Sequence, residues 1–179
     1  HVTAVCNTAN VEVVMGVKPD VVDRCTSYAV TAVSSVDAVH DRATVVPLGV
    51  ADVKRAGKDV TVLASGLQVQ NALKVAETLS AEISVEVIDA RSFEPFDLEC
   101  LLKSVEKTSR LIVVDEDYER GGFAAEICAQ MMEHGYDLLD APVKRVASTD
   151  TFVAYAPELE DVILPQVADL REAMVEVAA

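Results

Sequence analysis

The chain has 179 residues, 51% of them hydrophobic, and 30 acidic against 15 basic side chains give a net charge of −15. That apolar content argues for a packed core and against disorder, at a length suited to one domain or to one domain plus a fragment. The negative charge repels phosphate backbones with no basic cluster or aromatic platform to offset it, and no run of about 18 apolar residues is present, so nucleic-acid binding and a membrane-spanning helix are set aside.

The N-terminus shows no basic region followed by an apolar stretch, so no secretory signal is read there. Cys6, Cys25, Cys100 and Cys128 lie far apart without a CxxC pair. They read as reduced thiols or core residues rather than as a disulfide framework or a zinc site.

Residues 1–46 contain 14 valines and no leucine, isoleucine or phenylalanine, whereas an ordinary apolar mixture begins at Pro47. The charge divides at the same place, −2 before Pro47 and −13 from it onward. Pro47 and Gly49 punctuate the change, which places a boundary there. Val11, Val13 and Val14, then Val21 and Val22, then Val30, Val33, Val36 and Val39 suggest short strands and one helical stripe, although valine is a mediocre helix former. This segment carries no motif and reads as a remnant or an atypical stretch.

From there the chain alternates. DVTVLAS (59–65) is a β-branched run ending in a Ser65-Gly66 turn. Residues 67–82 place Leu67, Asn71, Val75 and Leu79 at helical spacing, with Ala72, Leu73 and Ala76 beside them. SVEVIDAR (84–91) is a second strand, and Pro95 and Asp97 introduce a helix over 97–108 with Leu98, Leu101, Leu102 and Val105 on its apolar face. RLIVVDED (110–117) is a continuous apolar strand of the kind buried on both faces. Gly121-Gly122 opens a helix through Glu133 with Phe123, Ile127 and Met131 in register, VKRVAS (143–148) is a fourth strand, and 165–178 form a terminal helix. Strand and helix in alternation predict an α/β fold: three layers, a mostly parallel sheet with helices on both faces.

The chemistry-bearing residues each have a plainer reading. The turn SGLQVQ after the first strand lacks the second and third glycines of a dinucleotide fingerprint. Asp115, Glu116, Asp117 and Glu119 follow the third strand, where α/β sheets place ligands; they could hold a metal or act as acid and base, or form a solvated loop. Gly121-Gly122 could expose amides to an anion, or permit a tight turn. His1, His40 and His134 do not converge with a nucleophile and an orienting acid, and Cys128 falls on the apolar side of its helix.

The blocks PLGVADVKRAGKDVTVLASG (47–66), VEVIDARSFEPFD (85–97), SVEKTSRLIVVDED (104–117), GGFAAEI (121–127), LDAPVKRV (139–146) and AYAPELEDVILPQV (154–167) resemble, in order, the transketolase C-terminal-like domain of the beta subunit of thiamine-diphosphate-dependent 2-oxo acid dehydrogenases of the pyruvate, branched-chain and acetoin type. The resemblance divides the chain into 1–46 and a domain at 47–179. It implies a part in oxidative decarboxylation with acyl transfer to a lipoyl arm, in an assembly containing thiamine diphosphate and Mg²⁺. In that family the cofactor lies between an alpha-subunit domain and the beta N-terminal domain, and only 46 residues precede Pro47 here. The chain alone is therefore expected to bind no cofactor and to be inactive, with no catalytic, cofactor or metal residue assigned.

The remaining roles implied by the resemblance are assembly and docking. The expected partners are an alpha subunit, a second beta subunit paired as a homodimer, and the subunit-binding domain of an acyltransferase core. Asp140, which opens the DAP block, matches the acid that accepts an arginine of that binding domain in bacterial pyruvate-type members. Lys144 stands where some members carry a further acid, and an Asp before Pro142 also suits an ordinary turn. A stand-alone interaction or regulatory module with the same fold is the alternative. Bacterial cytoplasm and mitochondrial matrix both fit.

Overall fold

The computed structural model describes residues 6–7, 10–11, 47–153 and 155–179. Two compact units divide at Leu48/Gly49. In the first, Cys6–Asn7 pairs antiparallel with Asn10–Val11. The expected valine strands and stripe over 13–39, together with Cys25, His1 and His40, lie outside the described residues.

The second unit runs β1 (Asp52–Arg55), β2 (Val60–Ala64), α1 (Gly66–Thr78), β3 (Val85–Asp89), α2 (Leu98–Thr108), β4 (Leu111–Tyr118), α3 (Phe123–His134), a 3₁₀ turn (Tyr136–Leu138), β5 (Lys144–Ser148), α4 (Pro157–Ile163) and α5 (Val167–Ala178). The sheet order is β1-β3-β2-β4-β5. β2 is parallel to β3 and β4, β5 is parallel to β4, and β1 alone is antiparallel, against β3. The mostly parallel α/β sheet expected from the alternation is thus present, with the four predicted strands and four predicted helices in their places.

The pleat sorts the core into two faces. On one, Val60, Val62 and Ala64 of β2 pack with Val69, Ala72 and Val75 of α1 and with Leu170, Ala173 and Met174 of α5. On the other, Leu63 of β2, Ile88 of β3 and Val113 of β4 meet Leu101 and Val105 of α2 and Ala124, Ile127 and Met131 of α3. Alternate residues of one strand therefore feed opposite layers, the period of two that a strand imposes.

Four local features depart from the sequence reading. β1 was not anticipated, because DVKR is a polar edge segment rather than a β-branched run; Asp52 faces Asp89 across the ladder, and Lys54 and Arg91 neutralise the pair. Lys54 first, and then Arg91, hold the Asp52 carboxyl below the usual carboxylate range. Val75 and Leu79 of the expected α1 stripe, with Ala72 and Ala76 beside them, are buried as predicted, but Leu67 is 61% exposed and Asn71 only partly covered, and Gln68 and Val69 take the inward positions of the first turn. The helix also stops at Thr78, and α4 adds a short helix between β5 and α5.

Candidate functional site

At the carboxyl end of β4, the acidic cluster separates into individual roles. Asp115 is buried, and its carboxylate accepts hydrogen bonds from the amides of Ala124 (3.2 Å) and Asp117 (3.3 Å). The first turn of α3 thus has an anion on its Ala124 amide, and that anion is the chain's own side chain. Gly122 permits the approach: a Cβ there would meet the Tyr118 carbonyl oxygen at 2.3 Å. Gly121 adopts φ of 74°, the left-handed turn that leads into it.

The other three acids diverge. Glu116 accepts from Gln68 Nε2 at 3.1 Å, and that same Nε2 also donates to the Pro165 carbonyl. Asp117 accepts from the Tyr118 amide, and Glu119 pairs with Arg145 at 3.1 Å. Neither the metal reading nor a plain solvated loop describes this cluster. Among the described residues, no group of three His, Cys, Asp or Glu could hold a metal ion.

The buried charge that sequence reasoning missed is Glu86, the second residue of β3 and only 2% exposed. Ser104 donates to its Oε1, while Lys107 and the Gly57 amide (3.1 Å) donate to its Oε2. Thr61 extends the network, with its hydroxyl 2.6 Å from Ser104 Oγ and 2.7 Å from Thr108 Oγ1. Burial pushes the Glu86 carboxyl up, but Lys107, Ser104 and the Gly57 amide outweigh it and leave the group below its ordinary range. One wall of an open cleft of about 470 Å³ is formed here by Glu86, Ser104, Lys107, Lys103 and Val53. With both oxygens engaged, Glu86 ties α2 to the sheet rather than serving as a free base. The signal available in the sequence was Ser104 and Thr108, two polar residues four apart on an otherwise apolar helix face.

Asp140 lies in the loop before β5 and is exposed, with its amide fixed to the Ser109 carbonyl at 2.9 Å. Lys144 is engaged by Glu176 of α5 at 2.6 Å. His134 sits at the end of α3, 3.8 Å from Glu133. Cys128 is half-buried rather than core, and Cys100 is likewise half-buried. Burial raises both thiols, and the charges of Asp97 and Glu86 raise Cys100 further, so these are thiols rather than reactive thiolates.

Residues 49–170 match the family described as "Transketolase, C-terminal domain". Over 121 residues the chain is 48% identical to the "Acetoin:2,6-dichlorophenolindophenol oxidoreductase subunit beta" of Bacillus subtilis (strain 168), covering 67% of this chain and 35% of that protein. It is 46% identical over 125 residues to the "Pyruvate dehydrogenase E1 component subunit beta-1, mitochondrial" of Arabidopsis thaliana, covering 69% and 34%. Among solved structures, the "Split gene transketolase, inactive beta4 tetramer" is similar with a TM-score of 0.65 and 28% identity, over 73% of this chain and 42% of that one. The chain spans about a third of the length of these curated relatives. With the matched segment covering the whole parallel sheet, the chain belongs to the transketolase C-terminal domain family.

Proposed function

We propose that this chain serves as the C-terminal domain of the beta subunit of a 2-oxo acid dehydrogenase decarboxylating component, where it acts in subunit assembly and in docking to the acyltransferase core. The observation that carries the reading is identity of 46–48% to beta subunits of pyruvate- and acetoin-type enzymes across the folded unit. An alpha subunit and a second beta chain are the partners in assembly; the similarity to a beta4 tetramer of split-gene transketolase supports self-association of such chains. Relatives from a bacterium and from mitochondria keep both compartments open.

Thiamine diphosphate and Mg²⁺ belong, in this reading, to the complete enzyme. The described residues do not fit that group: no metal-holding trio converges, Glu86 has both oxygens occupied, and the Ala124 amide in the first turn of α3 is taken by Asp115. No chemical step is assigned to this chain.

Docking rests on Asp140, whose exposed carboxylate is free to meet an arginine. The test is calorimetric: thiamine diphosphate with Mg²⁺, then the subunit-binding domain of an acyltransferase, are titrated into the intact chain. Uptake of the binding domain without the cofactor is the expected result. Tight uptake of the cofactor by this chain alone overturns the division of labour, and absence of any binding leaves the stand-alone module as the better reading.

A further inference from the structure

Between α2 and the sheet, three hydroxyls and one carboxylate form a chain whose protons cannot be placed independently. Thr61 stands beside Glu86 in the parallel ladder, and its Oγ1 lies 2.6 Å from Ser104 Oγ and 2.7 Å from Thr108 Oγ1. All four side chains are buried. Each hydroxyl has one proton to donate, and an ionised carboxylate only accepts. Ser104 gives its proton to Glu86 Oε1. Every contact is then a hydrogen bond only if Thr61 donates to Ser104 and Thr108 donates to Thr61. The charge on Glu86 thus sets the direction of the whole chain.

The opposite direction is equally complete. A proton on Glu86 Oε1 makes that oxygen the donor to Ser104, which then donates to Thr61, and Thr61 to Thr108. At the far end, Thr108 Oγ1 already has two backbone acceptors, the carbonyls of Ser104 and Arg110, each at 3.2 Å. No hydroxyl loses its partner. A proton on Oε2 has no such outlet, since the donors Lys107 and the Gly57 amide face that oxygen. The other titratable groups on the cleft beside Glu86 are engaged: Lys103 pairs with Glu99, Asp97 accepts from the Ala51 and Cys100 amides, and Cys100 is a protonated thiol. From β1 the cleft receives Val53, followed by Ala56, neither of which titrates. We infer that Glu86, Ser104, Thr61 and Thr108 form a buried proton switch: Glu86 takes up a proton on Oε1, the hydroxyl chain reverses, and α2 stays docked. The proton comes from solvent through the open cleft, and each hydroxyl keeps its own proton and rotates. Lys107, its side chain already 47% exposed, loses its counter-ion and becomes a free cation on the cleft.

The test follows the ¹³C shift of the Glu86 carboxyl carbon by NMR in the intact chain as pH is lowered. Thr61→Val keeps the branched shape and removes the middle hydroxyl. In the ionised state this takes a polarising donor from Ser104, a small effect that raises the pKa of Glu86. In the protonated state it leaves a buried hydroxyl proton without an acceptor, which is the larger effect and lowers the pKa. The expected result is a fall of about one unit, a tenfold loss of proton affinity. Thr108→Val cuts the same chain at its far end and lowers the pKa likewise, which keeps the test open where Thr61→Val does not fold. The double variant shifts it no further than Thr61→Val alone, because a chain cut once cannot reverse. An unchanged or raised pKa in the folded variants overturns the switch and leaves the hydroxyls a purely structural role. In the wild type, α2 amide signals keep their folded positions after Glu86 is protonated; their loss in step with that titration overturns the inference as well.

Discussion

The carboxylate of Asp115 accepts a hydrogen bond from the amide of Ala124 across 3.2 Å, so the last buried residue of β4 caps the helix that follows it. A second amide, that of Asp117, lies 3.3 Å from the other oxygen. Asp115→Ala leaves the buried Ala124 amide without an acceptor at the positive end of a helix, and is expected to destabilise the domain by about 1–3 kcal/mol. Urea unfolding of both proteins measures it. Equal midpoints would mean that water replaces the carboxylate without loss.

The Glu86–Lys107 pair predicts a pH dependence. The folded carboxyl is held below its ordinary value, so the unfolded chain takes up protons first as pH falls. The stability contributed by Glu86 is present above the unfolded value and is lost as pH drops through the lower, folded one. In Glu86→Gln this contribution is absent, and the gap between wild type and variant should narrow as pH falls below the ordinary glutamate range. A gap of constant size in chemical unfolding across that range would show that the carboxylate charge is not what matters. Lys107→Ala removes one of three donors to a buried anion and should cost about 2 kcal/mol, moderated because the lysine side chain stands half in water.

How far the sequence was readable follows from which interactions are local. The strand over 60–64 and the start of α2 at Asp97 were legible because β-branched runs and an Asp N-cap act within a few residues, and Asp97 Oδ1 does accept from the Cys100 amide at 3.0 Å. β1 was not legible: its Asp52, Lys54 and Arg55 become a strand only by pairing with β3, far along the chain. Leu67 stands exposed although Val75 and Leu79 of the same stripe are buried, because at the first turn of α1 it is Gln68 and Val69 that meet the sheet, which helical spacing alone does not decide. The acidic run 115–119 looked like one cluster, and only the fold shows that Asp115 turns inward while Glu119 turns to Arg145. Glu86 was hidden because its carboxylate is satisfied from distant positions, the β1–β2 loop and two residues of α2.

Gly57 gives a prediction of a different kind. Its amide donates to Glu86, and its Cα packs against the start of β3 so closely that an added Cβ would stand 2.2 Å from the Glu86 nitrogen and 2.3 Å from the Val85 carbonyl carbon. Both atoms are backbone and cannot step aside without moving a central strand. Gly57→Ala is therefore expected to cost about 2 kcal/mol or more, beyond the usual loss from overpacking a flexible side chain. Thermal unfolding reads it directly, and a variant as stable as wild type would mean that the β1–β2 loop shifts freely.

Asp140→Ala tests docking with little interference from folding. The side chain is exposed, and the one backbone hydrogen bond that fixes the residue, from its amide to Ser109, survives the substitution. Stability should stay within about 0.5 kcal/mol of wild type, as for ordinary surface changes. Affinity for the subunit-binding domain should nevertheless fall roughly tenfold, the scale expected when a charged hydrogen bond to arginine is lost at an interface. Asp140→Asn separates charge from shape: it keeps an acceptor oxygen but loses the bidentate ion pair, and should fall between the two. Lys144→Ala supplies the opposite sign, since removing a cation four residues from Asp140 should leave docking unchanged or strengthen it at low salt. Calorimetric titration of the four proteins at one ionic strength gives the order. If Asp140→Ala binds as tightly as wild type, Asp140 is a turn residue before Pro142, and the docking contact lies elsewhere on the domain.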